Sequence, residues 1–167
     1  MKILYVIIMM LFLGMVSCSE DNLKGYSSSN CIQFDKLSKD STVFSFAYDE
    51  TLESGTVALK LVMISPLVDR DRKYNVKFLQ DESSAQAGVD FEMPAEEQVI
   101  AANDSVAYLN VIVKRNKALK GSAIAVFEVQ VSDDFMPGIE ANRKGRIFIT
   151  NQLTRPGWWN DWHEANG

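Results

Sequence analysis

Apolar side chains recur at every second position through most of the central chain, and this spacing limits the fold more than any other feature. Val57, Leu59, Leu61 and Met63 alternate with Ala58, Lys60 and Val62, and Tyr74, Val76 and Phe78 alternate with Lys73, Asn75 and Lys77. Phe44, Phe46 and Tyr48 form an earlier set. Ala107, Leu109, Val111 and Val113, then Phe127, Val129 and Val131, then Ile147 and Ile149 form later ones. A period of two sends one face of each segment into a core and the other toward water. About seven such segments, separated by Gly, Pro, Asp and Asn and with little helical periodicity, predict an all-β chain folded as an antiparallel β-sandwich. Cys31, which precedes Ile32 and Phe34, is expected to be a core residue at the start of the first strand.

Some segments are apolar on both faces. Val106, Tyr108 and Ile112 lie opposite the core set of their strand, as do Ile124 and Val126. Such a strand is either central and covered by loops or by the C-terminal tail, or it belongs to a sheet face that docks on a partner.

The first 17 residues are a different object. Residues 3–16 carry no charge, follow Lys2 and end at Ser17-Cys18. Fourteen such positions are too few for a spanning helix, which needs about 20, and suit the apolar region of a secretory signal. Met15-Val16-Ser17-Cys18 looks like a bacterial lipobox, with Met15 where leucine is usual, and Cys18 is the expected lipid attachment point. Ser19-Glu20-Asp21 resembles the acidic signal by which some Gram-negative bacteria export lipoproteins to the cell surface. The expected organisation is therefore a signal over residues 1–17, a lipidated cysteine and flexible tether over 18–30, a β-sandwich over 31–150 and a tryptophan-rich tail over 151–167. The expected location is the outer membrane, facing the exterior.

The whole chain has 167 residues, 22 acidic and 17 basic side chains, and a formal charge of -5. Removing the 17-residue signal takes away only Lys2, so 150 residues with 16 basic and 22 acidic groups remain, a charge of -6. That balance argues against nucleic acid as a partner, because phosphate needs a basic face. Two cysteines and one histidine provide no zinc-ligand set, and no cofactor is expected. His163, the only imidazole, lies four residues from the end. Gly121, Gly138 and Gly145 stand isolated rather than in a phosphate loop, so the chain is expected not to be an enzyme. Trp158, Trp159 and Trp162 fall within five residues of each other. They read either as a platform for sugar rings or as a cluster packed on the domain or a partner.

Four ordered motifs add a longer pattern. They are Asp40-Ser41-Thr42-Val43-Phe44-Ser45-Phe46, Asp69-Arg70-Asp71-Arg72-Lys73-Tyr74-Asn75-Val76, Ala85-Gln86-Ala87-Gly88-Val89-Asp90-Phe91-Glu92-Met93-Pro94, and Asp104-Ser105 before a strand ending Lys114-Arg115. The pattern resembles the bacterial lipoprotein family catalogued as domain of unknown function 4843. The resemblance implies a surface lipoprotein with an immunoglobulin-like sandwich, often encoded beside outer-membrane nutrient importers, and it names no substrate. The expected function is a non-catalytic accessory or binding module of a nutrient-uptake assembly, with an outer-membrane importer as partner and a carbohydrate or peptide as ligand; the alternative is a purely structural protein-interaction module. Family members usually continue beyond the tryptophan region, whereas this chain stops at Gly167.

The motif from Ala85 to Phe91 also resembles Calx-β domains, which are calcium-binding sandwiches. The acid that such domains place two residues before the strand aromatic falls at Ala125, ahead of Phe127. Asp81-Glu82 and Asp133-Asp134 are the remaining acids that could converge on calcium at one end, which would make the chain a calcium-dependent adhesion module. The Asp69-Arg70-Asp71-Arg72 run reads either as an anion-recognising arginine pair or as a turn held by ion pairs.

Overall fold

The computed structural model describes residues 30–35, 42–95 and 97–153. Within them the chain forms β1 (Cys31–Phe34), β2 (Thr42–Ser45), β3 (Ser54–Ile64), β4 (Arg72–Lys73), β5 (Asn75–Phe78), β6 (Phe91–Glu92), β7 (Val99–Ile100), β8 (Val106–Lys114), β9 (Ser122–Gln130), β10 (Met136–Pro137) and β11 (Lys144–Thr150). Seven strands have four residues or more. The four two-residue strands are too short to show a period.

Two sheets face each other, one in the order β10-β1-β3-β8-β6 and the other β2-β11-β9-β5; β4 and β7 pair in a small third sheet. The pairing is antiparallel except at two places, where β1 runs parallel to β10 and β11 parallel to β2. The long β3–β8 ladder sets Val57 against Val111, Leu59 against Leu109 and Leu61 against Ala107. All six are buried, as the alternation requires.

The facing sheet contributes Val76, Ala123, Ala125, Phe127, Val129, Ile147 and Ile149 to the same core. Phe91 of β6 meets Phe78 of β5 edge-on at 4.7 Å and Phe127 of β9 at 5.5 Å. These rings tie the two sheets together along one side; such pairs contribute about 0.5–1.5 kcal/mol beyond their burial.

Three details depart from the sequence reading. β2 ends at Ser45, whose Oγ accepts the Ala47 N–H at 3.2 Å and turns residues 46–48 into a 3-10 turn. Phe46 is therefore buried while Tyr48 projects into solvent. Val131 lies past the end of β9 and is exposed. Cys31 is half-buried rather than core, since Ile32 and Phe34 occupy the inward positions of β1.

Candidate ligand-binding groove

The groove arises where one strand stops short. Phe91 and Glu92 pair with Val113 and Ile112 of β8, and then Met93-Pro94 leads the chain away. Proline has no N–H to continue a ladder, so it ends the pairing. The chain returns at Gln98, whose carbonyl accepts the Tyr74 N–H at 2.9 Å. The Gln98 side chain completes the anchor: Oε1 accepts the Val76 N–H at 2.7 Å and Nε2 donates to the Val76 carbonyl at 3.4 Å. Loop residues Pro94, Ala95, Glu97 and Gln98 thus line one wall of a groove of about 430 Å³, and Tyr108, Asn110 and Ile112 of β8 line the other.

Thr56 of β3, directly across from Ile112, together with Tyr74 and Leu109, completes the lining. Tyr108 is 54% exposed and Ile112 39%, so both offer apolar surface to a ligand, while Val106 and Ile124 are half-buried and Val126 is buried. Burial pushes the Tyr74 phenol above its ordinary value. Its hydroxyl donates to the Tyr108 carbonyl at 3.5 Å.

Charges around the groove are matched. Lys73 meets Glu97 at 2.5 Å, Lys60 meets Asp35 at 2.8 Å, and Lys114 pairs with Glu92. The Glu97 carboxylate holds Lys73, and the Asp35 carboxylate holds Lys60, above the usual ammonium value. What the groove offers is an aromatic ring, an amide, a hydroxyl and backbone groups on well-paired strands. That set suits recognition by stacking and hydrogen bonding.

Cys18, Ser19, Glu20, Asp21, Trp158, Trp159 and Trp162 lie outside the described residues. The arginine run is divided between two roles. Arg70 pairs with Asp134 at 2.5 Å, whereas Arg72 is 1% exposed and donates to Ser65 Oγ at 2.9 Å and to Met63 Sδ. Asp71 accepts the Ala102 N–H at 2.9 Å. The proposed calcium acids are similarly engaged: Asp134 by Arg70 and by the Lys73 N–H, and Glu82 by Lys144. Ala125 is buried in the core. Among the described residues no group of three His, Cys, Asp or Glu side chains could hold a metal ion, and no helix is long and apolar enough to cross a membrane.

Sequence reasoning found Tyr108 and Ile112 as outward apolar positions but missed Thr56, Asn110, Glu97 and Gln98. The available signal was Met93-Pro94 directly after the Phe91 strand, which marks where β8 loses its neighbour.

Compared with models of protein families, residues 24–167 match the one described as Domain of unknown function (DUF4843). Compared with curated proteins, the sequence finds no match. Among solved structures, the apo form of the Calx CBD1 domain superposes with a TM-score of 0.52 at 8% identity, over 74% of this chain and 98% of that one. A candidate carbohydrate binding protein from Bacteroides ovatus gives a TM-score of 0.52 at 12% identity, over 74% of this chain and 37% of that one. The calcium binding domain CBD12 of CALX1.1 gives 0.52 at 9% identity, over 72% of this chain and 45% of that one. This chain thus spans less than half the length of the last two. At such identities the likeness is one of fold: a Calx-β-like sandwich.

Proposed function

Because the chain belongs to the family described as domain of unknown function 4843, whose description names no activity, we propose that it is a non-catalytic binding module, lipid-anchored at the outer membrane and facing the cell exterior. In this reading it serves as an accessory of a nutrient-uptake assembly that handles glycans or peptides. The observation that carries the binding role is the groove beside β8, where half-exposed Tyr108 stands next to Asn110 on a strand fully paired to β3 along its other edge. Fold likeness to a candidate carbohydrate binding protein supports the same class of role. The anchor rests on Cys18 and the apolar run before it. Two lipid chains or more hold a protein stably at a membrane, at about 0.8 kcal/mol per buried methylene.

The test has two parts. Growth with a fatty-acid analogue should label the wild type and not Cys18→Ala, and protease added to intact cells should degrade the labelled protein. Equal labelling of both forms, or protection until lysis, removes the anchored surface role. For the groove, arrays of oligosaccharides and peptides are probed with the mature chain and with Tyr108→Ala. A hit weakened at least tenfold by the substitution supports the reading, and no hit in either array removes it.

A further inference from the structure

The backbone of β8 adds something its side chains do not. In an antiparallel ladder the N–H and C=O of one residue point to the same neighbour, and those of the next residue point to the opposite side. Two hydrogen bonds fix the phase here. Met63 N–H donates to the Ser105 carbonyl at 2.9 Å, so the odd residues of β8 are bonded to β3. Lys114 N–H donates to the Asp90 carbonyl at 2.8 Å, so the even residues face the β6 side.

β6 serves that side only as far as Ile112, because Pro94 leaves the ladder where it would have met Asn110. The main-chain groups of Tyr108 and Asn110 therefore point into the groove. Among the described residues, the contact made to them is the long hydrogen bond from the Tyr74 hydroxyl to the Tyr108 carbonyl, at 3.5 Å. A sheet edge of this kind is a template for another strand.

We propose that the groove takes an extended segment of a partner polypeptide, which adds to the β10-β1-β3-β8-β6 sheet by pairing with Tyr108 and Asn110 of β8. The proposal rests on the reading of the chain as an accessory module of an assembly and names how that module engages its partner. Added residues that pair with Tyr108 and Asn110 place their side chains on the same face as the Tyr108 ring, where aromatic and β-branched neighbours pack well. The intervening residue points toward Tyr74 and Gln98. The lysines bordering the groove, Lys60, Lys73 and Lys114, are each held by a carboxylate. A free terminal carboxylate would have to displace one of them. An internal segment of a longer chain, which brings no terminal charge, fits better than a short free peptide.

The test uses the mature chain and a library of randomised hexapeptides held between constant flanking linkers. Enriched sequences are resynthesised with end caps and with single N-methyl groups placed along the backbone. Strand addition predicts enriched peptides whose affinity falls at least tenfold for N-methylation at alternate residues and stays nearly unchanged for the residues between. Asn110→Pro, which removes an N–H directed at the groove, should weaken the same peptides; if that variant fails to fold, the N-methyl series still decides. Binding insensitive to every N-methyl position, or no enriched peptide, overturns strand addition. Oligosaccharide binding without peptide binding overturns it as well while leaving the binding-module reading intact. Silence of both probes ends both.

Discussion

The Arg72 guanidinium stands over the Phe135 ring, 4.9 Å from its centroid, in a place almost wholly shielded from water. It also donates to Ser65 Oγ at 2.9 Å, to the Pro66 carbonyl at 3.5 Å and to Met63 Sδ, and Nε is buried with no hydrogen-bond partner. Burial lowers its affinity for a proton, and nearby Arg70 adds to the effect. A desolvated cation–π contact stabilises by about 2 kcal/mol, whereas burying one ion costs several kcal/mol even after relaxation. The cost dominates. Arg72→Met keeps the length and removes the charge, and should stabilise the domain by about 1–3 kcal/mol. Thermal unfolding would show a melting temperature raised by roughly 2–4 °C per kcal/mol; a lowered one contradicts the argument.

Gly55 and Phe44 make a second dependent pair. A Cβ on Gly55 would clash with Phe44 Cζ, and that ring cannot swing freely because it packs edge-on against Phe46 at 4.9 Å. Gly55→Ala should cost about 1–3 kcal/mol by overpacking. Adding Phe44→Leu should recover part of that loss, which a double-mutant cycle in denaturant will measure as coupling. Simple additivity would mean the clash is relieved elsewhere.

Asp90 explains why the segment from Ala85 to Phe91 is built as it is. Its carboxylate is 3% exposed and accepts the Gln86 N–H and the Asn116 Nδ2 donor, both at 2.8 Å. Gly88, at φ +83°, supplies the left-handed turn that lets Phe91 reach the core. Asp90→Ala takes the acceptor away from two part-buried donors and should cost about 1–3 kcal/mol, while Asp90→Asn, which keeps one acceptor oxygen, should cost less. Equal losses from the two variants would point to packing instead.

The Calx-like sandwich raises the question of calcium, and the side chains argue against it. Asp134 and Glu82 are held by Arg70 and Lys144, and the position at which the resemblance to Calx-β domains would place an acid is the buried Ala125. A ligand that binds only the folded state raises the melting temperature by mass action. Millimolar calcium should leave it unchanged, and a rise of several degrees would restore the adhesion reading.

How much of this was legible depends on where each signal lives. β3 and β8 were readable because each has one face in the core, so the period of two is written into adjacent residues. The same rule overran at Phe46 and Tyr48, since the Ser45 hydroxyl bends the backbone while the aromatic alternation continues. Strand direction carries no period, and the parallel β2–β11 pair could not be seen. Arg72 was hidden in a charged run that suggests solvent, because its burial depends on the chain folding back onto Met63 and Ser65 and on Phe135 arriving from a distant segment. The groove is a gap between elements, and a gap leaves no residue pattern except the proline that opens it.

The link between Arg70 and Asp134 predicts how stability varies with acidity. Arg70 donates to the Asp134 carboxylate at 2.5 Å, and the Lys73 N–H donates to its other oxygen at 2.8 Å. The hydrogen bond from Arg70, then that from Lys73, holds the carboxyl below the usual aspartate value, with partial desolvation opposing. A carboxyl depressed in the folded state binds its proton more weakly there than in the unfolded chain. Its contribution is therefore present above the unfolded value, near about 3.9, and disappears as pH falls through the folded one. Asp134→Asn should lower the urea midpoint at neutral pH. The gap between wild type and variant should narrow below about pH 4 and close at more acidic pH. High salt should shrink only the part owed to the exposed Arg70 charge and spare the part owed to the Lys73 amide. A gap that stays constant through the acid range would mean that Asp134 acts through packing and not through its charge.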